Sequence, residues 1–121
     1  MYRSLFLASS LLMIAAIFSC SSKSELNLHD IHADLVNGEK IYKDNCMLCH
    51  TGAIEGAHRL DQNSRWQESA EKGFDQLVYN TVHGYRGKYG ELPVMGMCSQ
   101  CSEKDIEDAV AYMLTHAGVM K

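Results

Sequence analysis

Apolar residues fall along this chain in two unlike patterns. Leu5 to Phe18 is almost wholly apolar, whereas the rest mixes apolar and polar positions at helical spacing interrupted by glycines. The clearest periodic segment is the last. Ile106, Ala109, Val110, Met113 and Leu114 recur at one-face helical intervals. Ser102-Glu103-Lys104-Asp105 reads as a capping box with Asp in place of the usual Glu, and Gly118 is the natural stop. Asp34 to Asn45 predicts another helix, with Leu35, Ile41 and Tyr42 apolar and Gly38 and Tyr42 four apart on one face. Asn63 or Ser64 can cap a helix running through Lys72, ended by Gly73. Phe74 to His83 predicts a further one, with Leu77, Val78 and Val82 inward and Gly84 as its stop. Thr51 to Gly56 and His58 to Asp61 read as irregular loop. Gly84 to Met97 holds four glycines and the single proline, so it predicts a long loop without a repeating period. The fold class expected is all-α.

The first segment reads differently. Met1-Tyr2-Arg3, the apolar run and Ser19-Cys20-Ser21-Ser22 have the order of a bacterial export signal, and the run is shorter than a comfortable membrane span. Ile17-Phe18-Ser19-Cys20 is similar to a lipobox, in which the cysteine is diacylated and becomes the new N-terminus. The expected organisation is a signal over 1–19, a lipid anchor on Cys20, a polar tether over 20–33, and one domain over 34–121. Cleavage within a discarded signal, or a free thiol at Cys20, is the alternative. At 121 residues there is room for one small core. A 46% hydrophobic content argues against disorder, and a net charge of -4 argues against nucleic acid as a partner. A cationic patch on another protein suits it better.

The chemistry is concentrated in Cys46-Met47-Leu48-Cys49-His50. C-x-x-C-H is the spacing at which two thiols reach the vinyl groups along one porphyrin edge while the adjacent imidazole ligates the iron. Ligation requires neutral His50, one ring nitrogen on the metal and the other held by an acceptor. The competing readings are a dithiol switch, or half of a zinc site followed by an unrelated His. There is no second C-x-x-C-H, so a single haem is expected, and with it a large apolar body for side chains to pack around.

Gly38, Tyr42, this motif, the glycine-rich loop with methionines and the helix containing Ala111-Tyr112-Met113-Leu114 together resemble a class I cytochrome c. Gly96 to Ser102, Gly56-Ala57-His58-Arg59-Leu60, Trp66 and Gly73 to Leu77 are similar to its cytochrome c5 group. The resemblance implies the class I cytochrome c fold, a few short helices around one haem c. It implies a monohaem carrier of single electrons between exported, periplasm-facing redox proteins, not an enzyme. It also implies that the Gly38 and Tyr42 face crosses the last helix near Tyr112, that Trp66 lies close to a haem propionate, and that Cys98 and Cys101 form a disulfide. For that pair no His follows Cys101 as a second haem motif requires. A zinc site needs two more ligands and a thioredoxin-like pair a βαβ context.

The sixth iron ligand departs from the family. Class I members usually offer a methionine followed by proline, and here Leu92 precedes Pro93. Met95 is the favoured substitute and Met97 the alternative, with His83 or an open site behind them. A second function therefore stands beside the carrier: a haem sensor or small-molecule binder with a weak or absent sixth ligand. His29 and His32 are expected to be solvated and His58 to lie on the surface. His116 suits the favourable charge at a helix C-terminus. Trp66 reads as a core aromatic, and Tyr79, Tyr85 and Tyr89 as pocket lining or ordinary packing.

Overall fold

The computed structural model describes residues 26–121. Its first long helix, α1 (Leu35–Ile41), begins where Asp34 turns its carboxylate onto the backbone N–H groups of Val36 and Asn37, satisfying donors that the first turn leaves without partners. The expected end at Asn45 is not an end. The helix widens into a π-helical stretch at Tyr42–Cys46 and tightens again into α2 (Met47–Gly52). Cys46, Cys49 and His50 therefore share one continuous helical run with Gly38. A widened turn, with the Met47 N–H bonded to the Tyr42 carbonyl, resets the direction of the side chains after it, and such turns recur at functional sites. Ala53, left-handed at φ 53°, closes α2, and a 3₁₀ turn at Ile54–Gly56 follows.

Helix α3 (Asn63–Ala70) and helix α4 (Phe74–His83) meet at Gly73, whose φ of 88° ends one and admits the other. Helix α5 (Glu103–His116) carries the expected cap in both directions: Ser102 Oγ accepts from the Asp105 N–H, and the Asp105 carboxylate accepts from the Ser102 N–H. Ile106, Ala109, Val110, Met113 and Leu114 are all buried on it, together with Tyr42, Trp66 and Phe74 from the other helices. Cys98 and Cys101 are paired as a disulfide just before this helix.

The crossing of α1 on α5 organises everything else. Gly38 lies directly against the α5 backbone, where a methyl group would stand 2.7 Å from the Asp108 carbonyl carbon and 3.0 Å from Tyr112 Cβ. One turn on, the Tyr42 and Tyr112 rings pack at 5.4 Å, as the Gly38 and Tyr42 face implied. Asp108, only 2% exposed, accepts from the Asp34 N–H at 2.9 Å, Asn37 Nδ2 at 3.0 Å and Lys104 Nζ at 2.8 Å. A buried carboxylate is tolerated where donors replace its lost water, and here they also pin the two helices together.

Two expectations need correcting. Residues 26–33 are not tether. Leu26 pairs with Met120 in a parallel bridge, the Leu28 N–H reaches the Lys121 carbonyl at 2.8 Å, and Leu26, Leu28, Ile31 and Ala33 pack on the core. Their apolar side chains supply cover that the last residues of the chain would otherwise lack. The Gly84 to Met97 loop, in turn, contains a hairpin of β1 (Tyr85–Gly87) and β2 (Gly90–Leu92), in register Tyr85 to Leu92, Arg86 to Glu91 and Gly87 to Gly90. Its tip leans on the Ile54–Gly56 turn so closely that a methyl at Gly90 would stand 2.9 Å from the Glu55 carbonyl carbon. Only glycine admits that approach of backbone to backbone.

Candidate haem site

His50 is held from two sides. Its Nδ1 lies 2.7 Å from the His58 carbonyl oxygen; since a carbonyl only accepts, Nδ1 carries the proton and Nε2 keeps the lone pair. Its ring stacks on Trp66 at 5.6 Å and 28°. Trp66 is itself buried and donates Nε1–H to the Arg59 carbonyl at 2.8 Å, so one side chain fixes both the imidazole face and the backbone that anchors it. Burial lowers the His50 pKa, outweighing the bond to the His58 carbonyl, and a neutral imidazole is the form that binds iron.

Cys46 and Cys49 are half-buried and unpaired. Burial, with a smaller contribution from Cys49, pushes the Cys46 thiol up to about 11. A thiol so held is a poor thiolate and hence a poor redox nucleophile, which weakens the dithiol reading. Half a zinc site needs another half, and among the described residues no group of three or more His, Cys, Asp or Glu side chains is gathered for a metal.

The candidate sixth ligands separate cleanly. Met97 is 78% exposed. Met95 is partly buried against the core in the Val94–Met97 turn, which packs on both α4 and the Tyr42–Cys46 stretch. His83 stays on the surface at the end of α4, its ring stacked 4.0 Å from that of Tyr79 and its Nδ1 against the Tyr79 carbonyl. Leu48, Val94 and Ile54 leave apolar surface exposed, Leu48 at 76%. Two thiols and a neutral imidazole on one helical run, a thioether in a turn packed beside that run, and exposed apolar side chains flanking it make a donor set that fits covalent haem.

Other expectations divide. Trp66 is a core aromatic, and His116 sits at the end of α5, its ring 3.9 Å from that of Tyr112. His29 and His32 are exposed. His58 is not a surface residue as expected: it is half-buried, with Nε2 2.9 Å from Ser69 Oγ and its ring edge-on to Trp66 and Tyr89. Tyr89 packs there, whereas Tyr79 and Tyr85 are exposed. The most telling residue missed in the sequence is His58, whose carbonyl accepts from His50, since every residue has a carbonyl and nothing in its side chain signals the role. The export signal and Cys20 lie outside the described residues.

Comparison with known proteins agrees with this geometry. The cytochrome c family profile matches residues 35–117. Cytochrome c-555 of Prosthecochloris aestuarii is 33% identical over 85 residues, covering 67% of this chain and 86% of that protein. Cytochrome c-555 of Chlorobaculum thiosulfatiphilum is 30% identical over 81 residues, covering 67% and 94%. Cytochrome c6 of Porphyra purpurea is 32% identical over 88 residues, covering 70% and 74%. The match begins at the first residue of α1, ends one residue after α5, and spans Cys46, Cys49, His50 and Met95 between them: this chain belongs to the cytochrome c family, and its cofactor is covalently bound haem c.

Proposed function

We propose that this protein is an exported monohaem electron carrier in which Cys46 and Cys49 bond the haem, His50 ligates the iron and Met95 is the sixth ligand. The observation that carries the reading is the His50 bond to the His58 carbonyl, which presents a fixed, neutral imidazole with Nε2 as its free donor. Bound in this way, haem supplies one-electron Fe(III)/Fe(II) chemistry. The chain's own part is to hold two axial donors rigidly and to keep water from the iron, so that little has to rearrange when charge changes. Burial of Met95 against exposure of Met97 supports the choice between them. A carbon-monoxide-resistant iron is what a carrier needs, and the sensor reading requires the opposite.

The partners are redox proteins, and an acidic cleft bordered by Asp30, Asp75, Glu103 and Glu107 supports one with a cationic face. Cys20 is the acylated N-terminus. The test is a reduced-minus-oxidised spectrum with pyridine haemochrome analysis, on protein from a host able to attach haem. One haem per chain, a thioether-to-iron band at the red edge of the visible spectrum and no carbon monoxide binding by the ferrous protein are expected. Met95→Ala removes the band and admits carbon monoxide. Wild-type protein that binds carbon monoxide as isolated overturns the ligand assignment in favour of the sensor. Cys20→Ala releases the protein from membranes.

A further inference from the structure

Met95 sits in a strained stretch of backbone. Met95, Gly96 and Met97 are successively left-handed, at φ 55°, 57° and 68°, and two of them carry side chains that disfavour it. Such a conformation persists only where its surroundings over-determine it. On the N-terminal side Pro93 contributes, its carbonyl accepting from the Gly96 N–H at 3.0 Å. Met97 and Val94, 78% and 60% exposed, contribute little packing of their own, and the turn rests on α4 and the Tyr42–Cys46 stretch chiefly through Met95. Its one covalent cross-link is at Cys98. Cys98 is 1% exposed, its N–H bonds the Met95 carbonyl at 3.0 Å, and its sulfur is tied to Cys101. Cys101 adjoins Ser102, the cap of α5. Between the two cysteines, Gln100 Nε2 reaches Asn45 Oδ1 at 3.1 Å, and Asn45 is the neighbour of Cys46.

From this arrangement we infer that the Cys98–Cys101 disulfide is a positioning clamp for Met95, holding the strained turn between the α5 cap and the helical run of the haem motif. The inference rests on Met95 being the sixth ligand. With the clamp closed the thioether is kept in place; with it open the turn relaxes out of its left-handed conformation and Met95 leaves the iron. Opening is a two-electron step. A dithiol reductant attacks the half-buried Cys101 sulfur, the bond to Cys98 breaks, and the reductant closes to its own disulfide as both cysteines end as thiols. The iron, already ferrous under such a reductant, is not the site of that exchange.

The experiment compares ferrous holoprotein with the disulfide closed, obtained with dithionite under brief exposure, and open, obtained with excess dithiol and verified by alkylation of Cys98 and Cys101. Cys98→Ala/Cys101→Ala, in which small apolar side chains replace the pair, is the second arm. The closed form is expected to resist carbon monoxide. The open form and the double variant are expected to bind it at least tenfold more readily, with far-UV helix signal retained and the oxidised variant lacking the thioether band. Resistance in all forms overturns the clamp while leaving Met95 as the ligand. Carbon monoxide binding by the closed wild type removes the ligand assignment, and the clamp with it. Loss of helix signal on opening shows a global staple and also overturns a clamp specific to Met95.

Discussion

Gly38→Ala tests the helix crossing on which the site is built. The added methyl stands 2.7 Å from the Asp108 carbonyl carbon and 3.0 Å from Tyr112 Cβ. Ordinary contact between carbons is ~3.5–4.0 Å, so α1 and α5 must separate by about 1 Å. Neither obstacle can swing aside, since one is helix backbone and the other the root of a buried ring. Overpacking of this kind costs ~1–3 kcal/mol. Separation also stretches the Asp34 and Asn37 bonds to Asp108, now 2.9 and 3.0 Å, and weakening one bond to a buried charge adds ~1–2 kcal/mol. Against this, alanine regains ~1 kcal/mol over glycine in a helix. The net is about 1–4 kcal/mol, which for a domain of this size lowers the melting midpoint by roughly 5–25 °C. Thermal unfolding of the holoprotein followed by far-UV circular dichroism is the assay. A midpoint within 2–3 °C of wild type, below that range, refutes the reasoning.

Acid should weaken the same crossing. Burial works against the Asp108 charge, yet bonds from Asn37, Lys104 and the Asp34 N–H prevail and hold its pKa below the ordinary value of 3.8; bonds from Asn37 and Ser102 lower Asp105 to about 2. Carboxylates depressed on folding contribute stability above their unfolded pKa and lose it as pH falls through the folded one. The melting midpoint should therefore hold above pH ~5 and drop between about pH 4 and 2, and Asp108→Asn should flatten that drop in a pH series of melting curves. Ser102→Ala removes the Oγ that accepts from the Asp105 N–H and should cost ~1 kcal/mol in denaturant titration. Trp66→Phe keeps a ring beside His50 but removes one of the two donors to the Arg59 carbonyl, the Gln62 N–H remaining at 3.0 Å. A loss of ~1 kcal/mol is expected, with a changed reduction potential as His50 loosens; an unchanged potential and stability count against Trp66 as a support of the imidazole.

Where a structural feature rests on a local rule, the residues announce it. The α5 cap is legible because Ser102 and Asp105 satisfy each other three residues apart, and the thiol and imidazole donors because attachment chemistry fixes their spacing. That Met95 is the more buried methionine of the turn is legible from Met97 abutting Cys98, which is buried and cannot turn with it. Features made by distant partners are not. The β1–β2 hairpin has no alternating pattern, because three-residue strands with Tyr85, Arg86 and Glu91 exposed bury almost nothing; its place comes from Gly56 and Gly90 fitting against each other's backbone. Asp108 reads as one more charge on a helix, since the donors that permit its burial lie some seventy residues earlier at Asp34 and Asn37.

The same distinction separates the two proposed axial ligands. His50 sits on a helical run whose start is capped by Asp34 and whose crossing with α5 is locked at Gly38, and its free ring nitrogen is oriented by a carbonyl and an indole that are themselves bonded. The His58 and Arg59 carbonyls come from an irregular segment, but Trp66 behind them and Gly38 at the helix crossing are buried. Met95 sits in a left-handed turn flanked by exposed side chains and secured at its far side through one buried cysteine. Stability in a protein is distributed unevenly, and segments with few buried contacts open first. The imidazole therefore belongs to the rigid frame, built with the fold itself, while the thioether belongs to an attached arm whose hold on the iron depends on how that arm is tied.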